Sequence, residues 1–243
     1  MRRFLENTFL KARPLLNSAA DLLIRRSSFN RAGSMSFAES ILYTETKYYK
    51  NISDIERSGF KVYSQFDEDG ILQFIISKIH NPKKSFIEFG VQDYLESNTR
   101  YLHLKDNWEG LIIDGDKKAM EYIHRDIRLR DNLKAVNAFI TAENINELFE
   151  SNGFGGNREI GIFSIDIDGN DYWVWKAINC INPQIIICEY NPAFGYKRQI
   201  TVPYKADFVV NTKTATSRAY SGASLAAFEG LAKNWNKSGG GTL

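Results

Sequence analysis

Residues 85–116, SFIEFGVQDYLESNTRYLHLKDNWEGLIIDGD, decide the fold of this chain. An apolar run around Ile87 ends at Gly90, and a second apolar run over residues 111–113 ends at Asp114. Bounded apolar runs of this kind, separated by a segment long enough for a helix, are typical of neighbouring parallel strands. The stretch therefore predicts a βαβ unit.

The two predicted strand ends carry residues suited to a nucleoside ligand. In open α/β sheets, ligands bind at the carboxyl ends of the strands, and an acid at the end of the second strand can bind a ribose. Glu88 and Gly90 lie at the first strand end and Asp114 at the second. The alternative interpretation of Glu88 is a structural role, in which it caps a helix or pairs with a lysine.

The turn after the first predicted strand argues against a dinucleotide. A dinucleotide fingerprint needs three glycines in the pattern GxGxxG, whereas this turn has Gly90 alone. Glu88 and Asp93 would also repel a pyrophosphate. A cationic nucleoside without phosphate, such as S-adenosylmethionine, would not be repelled, so the turn favours that cofactor over NAD.

Further apolar runs extend the pattern along the chain. Strands are predicted at residues 133–140, 160–167 and 184–188, and helices at residues 37–58, 71–79, 117–130, 143–150, 172–179 and 221–235. Five strands alternating with helices predict a three-layer, Rossmann-like α/β sheet.

Composition sets broad bounds on function and location. The chain has 243 residues and a net charge of +2, so one domain is expected and no global charge favours a nucleic-acid partner. Its two cysteines, Cys180 and Cys188, form no disulfide pattern, which predicts a reducing, cytoplasmic environment. No apolar run is long enough for a membrane span.

The N-terminal region differs from the rest of the chain. Residues 1–34 contain seven Lys or Arg and two acids, a net charge of +5. Residues 1–26 read as basic amphipathic helices broken at Pro14, which could lie on the inner face of an anionic membrane or dock on the domain or a partner. The predicted organisation is a helical extension and linker over residues 1–36, followed by the α/β domain over residues 37–243.

Acidic side chains also follow the fourth and fifth predicted strands. Asp166 and Asp168 come at and after one strand end, and Glu189 and Asn191 after the other. Three interpretations stay open: a site for a divalent cation such as Mg²⁺ formed by these four residues, a metal-free site in which Asp166 or Asp168 positions substrate or cofactor, and helix N-capping by Asp168 or Asn170. The histidines show no metal-ligand clustering, and His103 alone is placed as a possible base.

Five segments together resemble a known family. They are YSQFDEDGI, FIEFGVQDYLESNTRYL, GLIIDGD, SIDIDGNDYWVWKAI and IIICEYNPAFG, within residues 63–231. In this order they resemble the FkbM-type S-adenosylmethionine-dependent methyltransferases, in particular the branch found in bacterial surface-polysaccharide gene clusters. The resemblance implies a class I methyltransferase fold and methyl transfer to a hydroxyl of a small-molecule or glycan acceptor.

The resemblance also implies roles for individual residues. Glu88 and Gly90 match the first cofactor motif, Asp114 the ribose-binding acid, Asn137 and Ala138 the adenine edge, Asp166 the acid after the fourth strand, and Tyr63, Ser64 and Gln65 the segment that closes over the cofactor. Gln92 and Tyr94 depart from the family pattern, in which a second glycine is usual. Asp166 and Asp168 are the expected catalytic residues, as a base or as metal ligands.

The residues after the last predicted helix determine how many strands the sheet can have. After the predicted helix at 221–235, eight residues with three consecutive glycines are too few for the two strands that usually close a class I methyltransferase sheet. We therefore expect the last strand pair to be missing and the fourth or fifth strand to be an unpaired edge, covered by the N-terminal helices or by a second subunit in a homodimer. The shortened sheet also raises the alternative of a catalytically weak binding or scaffold protein.

Overall fold

All five predicted strands form in the computed structural model, which describes residues 34–126, 131–210 and 220–237. They are β1 (Ser85–Phe89), β2 (Glu109–Asp114), β3 (Leu133–Asn137), β4 (Arg158–Ile165) and β5 (Ile181–Cys188). Every neighbouring pair is parallel, and the order across the sheet is β3-β2-β1-β4-β5. The order reverses between β1 and β4, where open α/β sheets bind ligands. The α/β prediction is confirmed at this level.

Helices occupy most of the predicted positions between the strands. They are α1 (Phe37–Thr44), α2 (Lys47–Lys50), α3 (Glu68–Lys78), α4 (Arg100–Asp106), α5 (Lys117–Asp126), α6 (Ile145–Ser151), α7 (Asp171–Ala177) and α8 (Leu225–Lys237), with 3₁₀ turns at Ile55–Arg57 and Pro192–Phe194. The described residues divide into two compact units. A helical unit comprises the described residues up to His80 together with Glu96–Lys105, and a sheet unit comprises Asn81–Leu95 and the residues from Asp106 onward.

The core of the sheet unit lies against α6, α7 and α8. Phe89 and Phe163, on neighbouring strands, pack edge to face with ring centroids 5.1 Å apart, and Phe89 stacks on Phe149 of α6 at 5.7 Å. On α7 and α8, Trp175 stacks on Phe228 at 5.7 Å. Burying such aromatic side chains provides much of the free energy of folding. The core fixes the sheet and thereby positions the strand ends.

The helical unit shows where one prediction was wrong. Residues 37–58 form two short helices and a 3₁₀ turn, not a continuous helix. The interruption has a local cause, because Thr46 accepts a hydrogen bond from Tyr49 N–H and starts a new helix. Tyr49 donates from its hydroxyl to the carbonyl oxygen of Gly70 over 2.7 Å and packs with Tyr43 and Phe60 in an aromatic cluster.

The fifth strand lies at an edge of the sheet, as expected. Among residues 34–126, 131–210 and 220–237, β5 pairs only with β4 and no strand of the sheet follows it. Beyond its carboxyl end, the backbone N–H of Asn191 donates to the carbonyl oxygen of Ala223 over 2.7 Å. Ala223 in turn bridges antiparallel to Thr201. The predicted last helix begins at Leu225, four residues later than expected.

Several predictions concern the N-terminal extension, and residues 1–33 lie outside the described part of the chain. The predicted membrane contact of residues 1–26, the cover over β5 and the boundary at residue 36 therefore stay predictions. No helix among the described residues combines the length and the apolar character needed to cross a membrane.

Candidate functional site

The turn after β1 contacts the end of β4 directly. Gly90 has a φ of +67°, and its N–H donates to the carbonyl oxygen of Ile113 in β2 over 3.1 Å. A Cβ atom at position 90 would lie 1.6 Å from the carbonyl oxygen of Asp166. Both the left-handed conformation and this approach require glycine. Gly90 therefore allows the ends of three strands to meet.

The residues that depart from the family pattern adopt the backbone conformation that glycine favours. Gln92 has a φ of +47° and Tyr94 a φ of +58°, both in the left-handed region. Tyr94 is buried, and its N–H donates to the carbonyl oxygen of Val91 over 2.7 Å. The backbone of the turn thus takes a left-handed course although Gln92 and Tyr94 stand where the resemblance implies a second glycine.

Asp114 connects the ends of β1, β2 and β3. Its Oδ2 atom accepts from the N–H of Gln92, and its Oδ1 atom from the N–H of Asp116, each over 2.7 Å. Its carbonyl oxygen accepts from the Asn137 side chain over 2.9 Å and from the Ala138 N–H over 3.0 Å. A carboxylate has about four acceptor positions. The Asp114 side chain can therefore accept further donors, such as ribose hydroxyls.

A crevice of about 290 Å³ runs across these strand ends. Its lining includes the predicted residues Gly90, Asp114, Ala138, Asp166 and Asp168. The other lining residues are Gln92, Ile113, Gly115, Phe139, Ile140, Ile167, Asn170 and Phe208. The structure thus brings five of the predicted site residues together around one cavity.

The remaining predicted residues have other positions. Glu88 is buried on β1, beside Ser164 of β4, and is not among the lining residues. Asn137 contributes its side chain to the Asp114 carbonyl oxygen instead of lining the crevice. Glu88 and Asn137 therefore support the strand ends, and a direct contact with the cofactor stays a prediction for both.

Two aromatic residues of the crevice were missed by the sequence analysis. Phe139 follows β3 and is 52% exposed although it is a large apolar side chain. Phe208 packs on Gly169, where a Cβ atom would lie 2.2 Å from its ring. An exposed aromatic ring beside a cavity can stack on a flat ligand. No sequence pattern identified Phe208, because it reaches the site from a segment far along the chain.

The loop between β4 and α7 is organised by Asp171. The Asp171 side chain is 3% exposed and accepts hydrogen bonds from the N–H groups of Ile167 (3.0 Å) and Gly169 (2.9 Å). Burial raises the pKa of this carboxyl group above its ordinary value. Asn170 occupies the N-cap position of α7, but its side chain makes no capping hydrogen bond. The N-capping interpretation of Asp168 and Asn170 was therefore wrong.

Asp166 lies among several other carboxylates. It has solvent-exposed surface, yet it sits in a concave crevice where protein atoms displace part of its hydration. This desolvation, followed by repulsion from Asp171, Glu189, Asp168 and Glu88, raises the pKa of Asp166 to about 7. A carboxyl group with such a pKa can both take up and release a proton near neutral pH.

A second cavity, of about 180 Å³, adjoins the crevice at Asp168, which lines both. Its other lining residues are Gly169, Asp171, Glu189, Tyr190, Asn191, Pro192, Ser221 and Gly222. The Asn191 side chain connects two walls: its Oδ1 accepts from the N–H of Ala193 and its Nδ2 donates to the carbonyl oxygen of Ser221, each over 2.9 Å. The predicted residues Glu189 and Asn191 thus belong to this second cavity.

The predicted metal ligands are divided between the two cavities. In the part of the chain that the structure describes, no three His, Cys, Asp or Glu side chains are grouped so that they could bind a metal ion. Asp166 lines only the crevice, whereas Glu189 and Asn191 line only the second cavity. The four residues do not form a ligand set in this arrangement, and the use of Mg²⁺ stays a prediction.

Tyr63, Ser64 and Gln65 belong to the helical unit. Their segment is fixed by Asp69, whose Oδ2 accepts from the N–H groups of Val62, Tyr63 and Ser64 over 2.7, 2.7 and 3.0 Å. The residues that line the crevice all come from the sheet unit. The predicted closure of residues 63–65 over a cofactor therefore stays a prediction.

Comparison of the chain with protein-family models, with curated proteins and with solved structures found no match. The likeness to the FkbM-type methyltransferases thus rests on the sequence segments alone.

Proposed function

We propose that this chain is an S-adenosylmethionine-dependent O-methyltransferase whose acceptor is a sugar or a related hydroxylated compound. The observation that carries the proposal is the Asp114 carboxylate. It lies at the end of β2, is oriented by the N–H groups of Gln92 and Asp116, and lines a crevice at the reversal point of a parallel sheet. A carboxylate in this position suits the two hydroxyls of a ribose.

The chemistry of the crevice wall also favours this cofactor. Among the described lining residues, three are acids (Asp114, Asp166 and Asp168) and none is Lys, Arg or His. Such a wall suits a cationic sulfonium and disfavours the pyrophosphate of a dinucleotide. Ala138, Phe139 and Ile140 provide an apolar surface after β3 on which an adenine ring can pack.

In the proposed reaction the bound cofactor supplies a methyl group on a positively charged sulfur. The chain aligns the acceptor hydroxyl with that group and limits access of water, which is the larger part of catalysis in such a displacement. Asp166 takes the proton that the hydroxyl releases, because its raised pKa lets it act as a base near neutral pH. Asp168, on the wall shared by both cavities, positions the acceptor.

The main alternative is a nicotinamide-dependent oxidoreductase on the same kind of sheet. Isothermal titration calorimetry with S-adenosylhomocysteine and with NAD separates the two. We expect binding of S-adenosylhomocysteine and no detectable heat with NAD. Heat with NAD alone would refute the proposal.

A catalytically weak binding protein is the second alternative. Cell extracts supplied with methyl-labelled cofactor and the purified protein should yield a labelled product by mass spectrometry. Cofactor binding without any labelled product from extracts rich in glycans would favour the binding protein. The proposal also includes a role in surface-polysaccharide synthesis, contact with the surface of a membrane, and a homodimer.

A further inference from the structure

The crevice has two aromatic walls that come from distant parts of the chain. One is the β3 loop, residues 138–144 between β3 and α6, which contributes Phe139. The other is the wall segment, residues 202–208, which contributes Phe208. A flat ring that packs against aromatic side chains needs them at defined separations, because aromatic pairs prefer ring centroids about 4.5–7 Å apart. The contacts between the β3 loop and the wall segment therefore bear on ligand binding.

The wall segment is fastened to α7 and to the residue that precedes it. Trp173 Nε1 donates to the carbonyl oxygen of Val202 and Asn170 Nδ2 donates to that of Lys205, each over 2.8 Å. The Lys205 carbonyl oxygen also accepts from the N–H of Phe208 over 2.9 Å. These bonds hold the wall segment on the β4 side of the crevice, and its distance from the β3 loop depends on other groups.

Tyr204 joins the wall segment to the β3 loop. Its hydroxyl oxygen accepts from the N–H of Ala142 over 3.1 Å, and its O–H donates to the Glu143 carboxylate. In the described part of the chain, every hydrogen bond between the wall segment and the β3 loop involves this hydroxyl. Hydrogen bonds from Tyr204 and Thr141 lower the pKa of Glu143. Glu143 therefore accepts as an anion, which makes the stronger kind of hydrogen bond.

The β3 loop transmits this contact to Phe139. Asn144 Nδ2 donates to the carbonyl oxygen of Phe139 over 2.8 Å, and Asn144 Oδ1 accepts from the N–H of Thr141 over 2.9 Å. These two bonds brace the loop between its crevice-lining residue and the residues to which the wall segment is attached. A shift at the point of attachment would therefore move Phe139 as well.

We propose that Tyr204 is a positioning residue for the cofactor: its hydroxyl joins the two aromatic walls and fixes the gap in which the adenine ring packs. This inference deepens the proposed function and rests on it. Tyr204 is not among the residues that line the crevice, so it acts through Phe139 and Phe208. Without the hydroxyl the walls are joined in fewer molecules, and the apparent affinity falls in proportion to that fraction.

Tyr204→Phe tests the inference, because it keeps the ring and removes only the hydroxyl. We expect S-adenosylhomocysteine and adenosine, which share the adenine ring, to bind more weakly by the same factor, about three- to tenfold, the range of a typical net hydrogen bond. Calorimetry measures both affinities. Tyr196→Phe is the matched control, since Tyr196 is 70% exposed and lines neither cavity, and it should change neither affinity.

Variants of Glu143 separate positioning from stability. Glu143→Gln keeps an oxygen that can accept from Tyr204 and should bind S-adenosylhomocysteine within about twofold of wild type, whereas Glu143→Ala should weaken binding. Combining Glu143→Ala with Tyr204→Phe should weaken binding no further than Tyr204→Phe alone, because both changes remove the same bond. A role in stability alone would leave all these affinities unchanged well below the unfolding temperature.

Several outcomes would overturn the inference. They are an unchanged affinity in Tyr204→Phe, an equal loss in Tyr196→Phe, additive losses in the double variant, and a loss for S-adenosylhomocysteine without one for adenosine, since the adenine would then not be the group affected.

Failure of the wild type to bind S-adenosylhomocysteine would instead refute the proposed function. Hydrogen exchange of the Ala142 amide in the free protein then tests the contact separately, because this N–H donates to the Tyr204 hydroxyl. Faster exchange in Tyr204→Phe than in wild type would show that the hydroxyl joins the two walls, and equal rates would refute it.

Discussion

The N–H of Gln92 donates a hydrogen bond of 2.7 Å to Oδ2 of Asp114, so the turn after β1 is fastened to the end of β2 by the side chain that is predicted to bind the cofactor. The same carboxylate accepts from Asp116 N–H through its other oxygen. Asp114 therefore has two tasks, shaping the floor of the crevice and offering its remaining lone pairs to a ligand.

Asp114→Ala should bind S-adenosylhomocysteine about one to two orders of magnitude more weakly. A hydrogen bond to a charged group contributes roughly 1.5–3 kcal/mol, and this variant loses such bonds to the ribose. Calorimetry measures the change. Asp116→Ala is the matched control, because the Asp116 carboxylate also accepts from two backbone N–H groups, those of Lys118 and Ala119, but does not line the crevice. If both variants lost the same affinity for S-adenosylhomocysteine, Asp114 would act only by stabilising the local structure.

Asp166 should make the stability of the protein depend on pH. Its pKa is raised from 3.8 to about 7, so the folded state binds this proton more tightly than the unfolded state. The associated stabilisation is complete below pH 3.8 and is lost as the pH rises to about 7. Asp166→Asn should therefore be more stable relative to wild type at pH 8 than at pH 4.5. Urea unfolding at several pH values gives the free energy of unfolding of both proteins. If the difference between the two free energies did not change with pH, the raised pKa of Asp166 would be contradicted.

Loss of both crevice acids that follow β4, Asp166 and Asp168, should affect turnover more than cofactor binding. In Asp166→Asn with Asp168→Asn, we expect turnover to fall at least about a hundredfold, the usual contribution of a general base. Affinity for S-adenosylhomocysteine should stay within a few-fold of wild type. The double variant Asp207→Asn with Glu229→Gln, which removes two exposed carboxylates outside both cavities, is the control.

A chelator distinguishes the two roles that remain for these acids. Loss of turnover in excess chelator that magnesium restores would assign them to metal binding. Unchanged turnover in chelator would leave the roles of base and positioning group.

In wild type the turnover should rise with pH through about 7, as Asp166 loses its proton.

Gly90→Ala should be markedly destabilising. A left-handed conformation costs an alanine roughly 1–2 kcal/mol, and the clash with the Asp166 carbonyl oxygen adds to this. Gly156→Ala separates the two effects, because Gly156 has a φ of +71° with nothing within 4 Å of an added Cβ. Denaturant unfolding should show a clearly larger loss for Gly90→Ala. Equal losses would show that the contact with Asp166 costs nothing.

The sequence was sufficient for those parts of the fold that depend on local pattern. The apolar runs around Ile87 and Ile113 predicted β1 and β2, and with them the positions of Gly90 and Asp114, because strand ends follow directly from where an apolar run stops. Residues 37–58 were predicted as one helix because their helical character is continuous, whereas the cap formed by Thr46 decides where the chain turns.

The parts of the site that sequence did not predict depend on contacts between distant segments. Phe208 reaches the crevice because its segment is tied to α7, where Asn170 donates to the carbonyl oxygen of Lys205 and Trp173 Nε1 donates to that of Val202. Asp171, another acid of this region, supports the loop from within, because it accepts from the N–H groups of Ile167 and Gly169. Neither periodicity nor residue type shows which of several neighbouring acids is buried.

The left-handed turn at Gln92 and Tyr94 has a consequence for the recognition of binding turns from sequence. Sequence motifs compare residue identities, whereas natural selection on a binding turn acts on its shape and on the groups it presents. Here two residues with large side chains adopt torsion angles at which glycine would be expected. A turn of this shape can therefore form without the glycines that a sequence motif would require. Proteins with a similar turn are therefore better recognised by its torsion angles together with its residue identities than by residue identities alone.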